Sequence, residues 1–373
     1  MSLQDQLERA IATHVEAVVP PVPDIDAAVR HGRSLRRRRR AGVLAAAGTA
    51  ALAVALVVPH LGALSEPPSR SPRAQSFAPV GALDYDQGLR GFADPSPDGN
   101  LSLGGRTFPI EDMGYLDTEA LATSYGLVFF DGSQTPHLLG EDGVDRTLAP
   151  TPTDTRAGVR PSAKADAVQP LVALAQPSPD GVSVLLVRLD TGRTVGSREV
   201  LCSGGACRSV RVEAVDRGLV FVQTSDGTQV WDPEASGERG WTSLGGPDLR
   251  VADVRGGRIL WDGTAPTPAA DNPVAGWPTT RGAVDAQLTL DGGHVLSWSP
   301  NLEPTEPEGR PVRLRVDGGT WFAVDTDGSV LAAASGRASR APVYDCEVPS
   351  GACTRIGTID TTGGDPMFIG VDG

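Results

Sequence analysis

Gly126-Leu127-Val128-Phe129-Phe130 is a short apolar run bounded by turn residues, and the chain repeats it. Leu171-Val172-Ala173-Leu174-Ala175 follows, then Gly218-Leu219-Val220-Phe221-Val222 and Gly257-Arg258-Ile259-Leu260-Trp261. Gly293-His294-Val295-Leu296, Gly328-Ser329-Val330-Leu331-Ala332 and Met367-Phe368-Ile369-Gly370-Val371 complete the series. Successive runs start 35 to 47 residues apart. Runs this short and apolar, flanked by glycine, read as buried strands. A recurrence of about 40 residues leaves room for about four strands per repeat.

The turns agree. Asp-Gly pairs stand at Asp98-Gly99, Asp131-Gly132, Asp180-Gly181, Asp226-Gly227, Asp262-Gly263, Asp291-Gly292 and Asp327-Gly328. This dipeptide supplies the positive φ that a tight hairpin needs. Helical periodicity is absent here. Gly and Pro total 76 of 373 residues, which suits a turn-rich chain. The reading is an all-β fold, a β-propeller of six to seven blades over residues 81–373. A sandwich is the alternative, but this region is large for one. Strands near Leu101 to Leu103 and Arg106 to Ile110 are expected to complete the blade of the run at Met367, removing exposed sheet edges.

Residues 41–64 carry no charge, and Ala41 to Val58 reads AGVLAAAGTAALAVALVV. A helix of this length can cross a bilayer. Arg36, Arg37, Arg38, Arg39 and Arg40 precede it, and the positive-inside rule keeps them cytoplasmic. They also suit contact with anionic lipid of the bilayer. A cleaved signal peptide is the competing reading, with Leu61-Gly62-Ala63 as the cleavage context. Residues 1–40 hold eight arginines against five acids, a net +3 in a chain of net −13. The outer region is therefore at −16, which excludes a general nucleic-acid surface.

The cytoplasmic arm, residues 1–40, opens on a capping box at Ser2 to Asp5. Leu3, Leu7, Ile11 and Val15 then fall on one helical stripe, ended by Pro20-Pro21. An isolated helix this short is marginal in water. It reads either as a loosely ordered leader or as a docking helix for a cytoplasmic regulatory protein. Residues 65–80, with Pro67, Pro68, Pro72 and Pro79, read as a stiff linker.

Ser96-Pro97-Asp98-Gly99, Ser178-Pro179-Asp180-Gly181 and Leu189-Asp190-Thr191-Gly192 resemble turns of WD-repeat-like and TolB-like propellers, although no complete WD blade signature is present. The arm from Asp24 to Arg40 leading into an anchor resembles actinobacterial single-pass membrane proteins, some of them encoded beside extracytoplasmic-function sigma factors. The resemblance implies an extracytoplasmic propeller and brings no catalytic residues.

Cys202 and Cys207 flank one glycine-containing turn, and Cys346 and Cys353 flank another. Each pair is expected to form a disulfide across a hairpin in an oxidising compartment. Zinc is the rival, but the spacing is not C-x₂-C and no histidine is near either pair.

Catalytic signatures are sparse. No G-x-S-x-G elbow, H-E-x-x-H or phosphate loop is visible. Most Asp residues sit in Asp-Gly turns. Asp317 to Trp321 is one residue short of an Asp-box, and Asp325-Thr326-Asp327-Gly328 lacks the later acidic ligand of a calcium loop. No cofactor or metal is expected. All six tryptophans lie between Trp231 and Trp321. They read either as blade packing or as a ligand platform, for which Trp277 and Trp241 are the candidates. The Pro-rich stretch from Thr264 to Thr280 around Trp277 is expected to be an exposed loop.

The expected function is a membrane-anchored binding or sensing module without catalysis. Two rivals remain. One is an envelope scaffold binding an extracytoplasmic peptide or polysaccharide; the other is a propeller hydrolase.

Overall fold

A computed structural model describes residues 92–94, 100–103, 106–109 and 120–360, apart from 141–143, 153–158, 203, 236–239, 264–265, 267, 271, 284–285, 298, 317–318 and 335–339. The expected arm helix, the arginine run, the apolar segment 41–64, the linker and the run at 367–371 lie outside the described residues. Among the described residues, no helix is long and apolar enough to cross a membrane.

The fold is an all-β, six-bladed propeller, with a further small sheet earlier in the chain. That sheet joins β1 (Phe92–Asp94), β2 (Asn100–Leu103) and β3 (Arg106–Pro109). The first blade holds β4 (Leu121–Thr123), β5 (Gly126–Phe130), β6 (Pro136–Leu139) and β7 (Asp145–Thr147). The second holds β8 (Ser162–Ala165), β9 (Leu171–Ser178), β10 (Gly181–Arg188) and β11 (Arg193–Leu201). The third holds β12 (Arg211–Asp216), β13 (Leu219–Thr224), β14 (Gly227–Trp231) and β15 (Trp241–Ser243). The fourth holds β16 (Arg250–Arg255), β17 (Arg258–Asp262) and β18 (Thr279–Gly282). The fifth holds β19 (Gln287–Leu288), β20 (His294–Leu296), β21 (Asn301–Pro304) and β22 (Val312–Arg313). The sixth holds β23 (Gly319–Val324), β24 (Val330–Ala334), β25 (Arg340–Cys346) and β26 (Cys353–Asp360).

Strands follow sequence order within each blade, and all neighbours are antiparallel except one. That exception is β18, which runs parallel to β17 because the long stretch between them returns the chain to the same end. Each of the first six apolar runs of the sequence supplies the second strand of its blade. These strands are apolar on both sides because they are buried on both sides. Val220 and Val222 of β13 pack with Val182, Val184 and Leu186 of β10 in the second blade. Phe221, between them, packs with Val251, Ile259 and Trp261 of the fourth. The outermost β11, by contrast, is largely exposed.

Both expected disulfides are present, so all four cysteines are paired and none is a thiolate available to zinc. Cys202 follows β11 and meets Cys207 in a short 3-10 turn, Gly204–Ser209. Cys346 and Cys353 stand directly opposite on β25 and β26.

Three pairs of adjacent blades are joined at or near the ends of their first strands. Asp166, after β8, accepts the amide of Gly218 in the third blade at 3.0 Å. Asp216, at the end of β12, accepts Gly256 at 3.1 Å and Gly257 at 2.7 Å in the fourth. Asp253 of β16 accepts Leu288 in the fifth at 2.8 Å. The Gly256-Gly257 turn has φ of 61° and 76°, a left-handed pair that glycine adopts without strain. It also leaves no room. A Cβ on Gly256 would stand 2.7 Å from the Asp291 carbonyl, and one on Gly257 would stand 2.6 Å from the Arg217 guanidinium.

Burial raises the Asp216 carboxyl above its ordinary pKa, with the two glycine amides working against that shift. Asp216→Ala strands both amides and is expected to lower unfolding free energy by about 2–4 kcal/mol in chemical denaturation; an unchanged midpoint would show that the join is not structural. Asp325, beyond β23, is pushed from 3.8 to about 7, first by burial and then by the charge of Asp327. A carboxyl whose folded pKa exceeds its unfolded value binds its proton more tightly when folded. Its contribution to stability is greatest below about pH 4 and declines as pH rises through about 7. Asp325→Asn is therefore expected to raise the melting temperature at about pH 8 by about 2–8 °C and to flatten its pH dependence. A lower melting temperature at that pH would contradict this.

Candidate functional site

The turns after the first strands share one end of the blades with the turns between third and fourth strands. At this end a narrow cleft is lined by Thr123, Ser124 and Tyr125 of the first blade and Asp166, Ala167, Gln169 and Leu189 of the second. Arg255 of the fourth blade, Leu290 of the fifth and Thr326 of the sixth complete it. Five of the six blades reach one cleft, which places it at the ring axis, because only the axis is near every blade.

The chemistry of the lining is mixed. Thr123 donates its hydroxyl to the Gly126 carbonyl at 2.8 Å and accepts the Tyr125 amide at 3.2 Å, fixing the first-blade turn. Burial raises the Tyr125 phenol, and the nearby Asp190 charge adds to it. Asp190 is itself held below the usual carboxylate range by hydrogen bonds from Arg188 at 2.9 and 2.5 Å. Asp166 offers no open oxygen. One oxygen accepts Val168 and Gln169 at 2.8 and 2.9 Å, and the other accepts Gly218. Arg255 is buried and bonded to Asp253 at 3.1 Å. The charged groups and the Thr123 hydroxyl act as struts, while Ser124, Tyr125, Gln169 and aliphatic carbons are left to face a ligand. Val168 stands beside the cleft with 85% of its surface exposed.

A second cleft at the same end contains Trp277. About 830 Å³ of open space is bordered by Arg217, Arg258, Trp277, Asp291, Thr305 and Glu306, among glycines. The stretch expected to be an exposed loop is exposed at Ala269, Ala270, Pro273, Ala275 and Pro278 but pinned by buried side chains between them. Val274 and Asn272 are buried, and Asn272 donates its amide to the Ser243 carbonyl of β15 at 3.1 Å. The apolar side chain of Val274 fills a gap against the third and fourth blades, and that pins the loop. Trp277 is half-buried between Phe221, at 6.2 Å between ring centroids, and the Arg217 guanidinium, 5.4 Å above its ring. Trp241 on β15 is capped likewise by Arg198 at 5.5 Å. Arg217 has a φ of 53°, uncommon for a residue with a side chain.

In the first blade, His137 lies between two carboxylates. Its Nδ1 is 2.8 Å from Asp145 and its Nε2 is 3.4 Å from Asp131, while Phe129 stacks on the ring. Burial pushes the Asp131 carboxyl up, but the amides of Thr135 and Ser133 and the His137 ring outweigh it and hold it low. Both nitrogens of this imidazole are engaged, so neither faces a substrate. Asp325 to Gly328, the calcium-like sequence, forms the turn after β23, and Asp327 accepts the Ser329 amide at 3.0 Å. Among the described residues, no group of three or more His, Cys, Asp or Glu is placed to hold a metal ion.

No family model matches the chain, and no curated protein does. Among solved structures, PorZ, a surface component of the type-IX secretion system of Porphyromonas gingivalis, is 13% identical over 74% of this chain and 38% of its own, with a TM-score of 0.38. TolB from Acinetobacter baumannii is 9% identical over 74% of this chain and 64% of its own, also at 0.38. The WD40 domain of Toxoplasma gondii coronin is 12% identical over 63% of this chain and 56% of its own, at 0.25. This chain thus spans less than two thirds of each of those chains.

Proposed function

We propose that this chain is a membrane-anchored, extracytoplasmic propeller that binds a protein segment at its axial cleft without catalysis. In this reading the N-terminal arm relays occupancy to a cytoplasmic regulator such as a sigma factor. The observation that carries it is the cleft itself, where turns from five blades present hydroxyls, an amide and aliphatic carbons. Its carboxylate is spent on backbone amides, which argues against acid–base work at this place. A peptide fits the lining better than a sugar. Leu189, Leu290 and three alanines suit aliphatic side chains, whereas the half-buried tryptophans that would stack on a sugar are capped by arginines. Two disulfides favour an oxidising compartment, in keeping with the arginine run and apolar segment of the sequence.

The test is crosslinked capture from native membranes with three forms of the full chain. The first is wild type. The second replaces residues 2–29 by a polar linker and keeps the arginines and the apolar segment. The third is Ala167→Arg, which fills the cleft from its rim. A cytoplasmic regulator is expected with wild type and not with the replaced arm. An envelope protein is expected with both of these and is lost from Ala167→Arg. Identical captures from wild type and the replaced arm would remove the relay. Capture unchanged by Ala167→Arg would remove the axial cleft as the binding site.

A further inference from the structure

The outer part of the fifth blade presents three cations in a short distance. Arg310, Arg313 and Arg315 are all exposed, and all three line one open groove with His294, Pro304, Glu306 and Ser350. Among the described residues, no carboxylate forms an ion pair with any of the three. In a chain with 46 acidic residues and a net charge of −13, three neighbouring guanidinium groups without such a partner stand out from the background. Several arginines elsewhere are paired: Arg188 with Asp190, Arg211 and Arg250 with Glu213, and Arg258 with Glu306.

The opposite wall is rigid. It is the tip of the β25–β26 hairpin, Pro349-Ser350, closed behind by the Cys346–Cys353 disulfide. The tip is fastened to the arginine strand through backbone alone, since the Arg315 amide donates to the Gly351 carbonyl at 3.0 Å. Gly351 has a φ of 66°, and a Cβ there would collide with the Arg313 carbonyl. Of the nearby acids, Glu306 is paired with Arg258, and Glu347 accepts the Ser350 hydroxyl at 3.0 Å.

We propose that this groove, between Arg310, Arg313 and Arg315 and the Pro349-Ser350 tip, is a binding site for a compact phosphate-type oxyanion, a phosphomonoester or a diphosphate. Three guanidinium groups exceed what one carboxylate can neutralise. Their planar forks match phosphate oxygens, and a pre-held wall lowers the ordering cost of binding. The ligand is compact because the surroundings are acidic. A long polyanion leaving along the β21–β22 turn would run past Glu303, Glu306 and Glu308, within reach at a screening length of about 8 Å. The phosphate is either free in solution or carried on a lipid headgroup.

The full chain, purified in detergent, is titrated with pyrophosphate by calorimetry. Saturable binding that weakens as salt rises is expected for wild type. In R310Q/R313Q/R315Q the affinity is expected to fall by at least about tenfold. The control R160Q/R193Q/R208Q removes the same charge from exposed arginines elsewhere and should leave it unchanged. Ser350→Glu leaves β22 intact, sets a carboxylate in the groove and should weaken binding equally. It decides the question if the triple variant fails to fold. Both variants share the N-terminal arginines with wild type, so differences read the groove. Cosedimentation with phosphatidylcholine vesicles, with and without phosphatidic acid, separates the sources. Phosphatidic acid-dependent binding lost with the three arginines assigns a headgroup, and pyrophosphate binding alone assigns a soluble phosphate. Absence of pyrophosphate binding, equal losses in groove and control variants, or displacement of pyrophosphate by succinate as readily as by phosphate would overturn the proposal.

Discussion

The carboxylate-to-amide joins between neighbouring blades are the constraint on which the rest of this molecule depends. A blade is an ordinary antiparallel sheet and cannot bury both faces alone. It must stack on another, and apolar stacking is non-directional. Asp166, Asp216 and Asp253 supply direction: each reaches from one blade to a backbone amide of the next and so fixes the offset between them. The bonds to the Gly257 and Leu288 amides are buried, and without them these two groups would lack partners. The same bonds place those turns side by side at one end, which is why a cleft forms there.

This join is costly in isolation and stable in context. Burial disfavours the charged form at Asp216, and more strongly at Asp325, a buried carboxyl bonded to Thr326 in its own turn. At Asp216 two glycine amides return much of what desolvation takes. At Asp325 the Thr326 amide, at 2.6 Å, works against both burial and a like charge two residues away. The acid-rich composition is therefore part of the architecture as well as a source of solubility. It also makes the molecule sensitive to pH from the inside.

The architecture was legible because the second strand of each blade is buried on both faces. Continuous apolar runs such as Leu219 to Val222 keep their signal without alternation, and their spacing counts the blades. The cysteine pairs were legible because a disulfide across a short hairpin needs little besides two close positions. The axial cleft was not, because Thr123, Ser124, Gln169 and Thr326 are ordinary turn residues whose meaning comes from convergence. A signal did exist: each lies within a few residues before a second-strand run. Stacking by Trp277 and Trp241 was also out of reach of the sequence, since Arg217 and Arg198 cap them from other strands or turns. The packing of the stretch around Val274 was hidden by its prolines, which read as exposure.

The use of arginine ties these features together. With Lys164 as its lone lysine, the chain relies on guanidinium groups for almost every positive charge. A guanidinium can lie flat on an indole, bridge two blades through one carboxylate as Arg211 and Arg250 do at Glu213, or remain exposed. The first two uses bind the fold together and need a partner from the same chain. The third does not, and three such arginines border one groove whose opposite wall is a hairpin closed by a disulfide. A bridging arginine fixes geometry inside the protein, whereas an arginine without a carboxylate partner, beside a rigid wall, is matched to an anion from outside. Among the described residues the arginines thus serve both a joined interior and a basic groove, and the two can change independently because they draw on different residues.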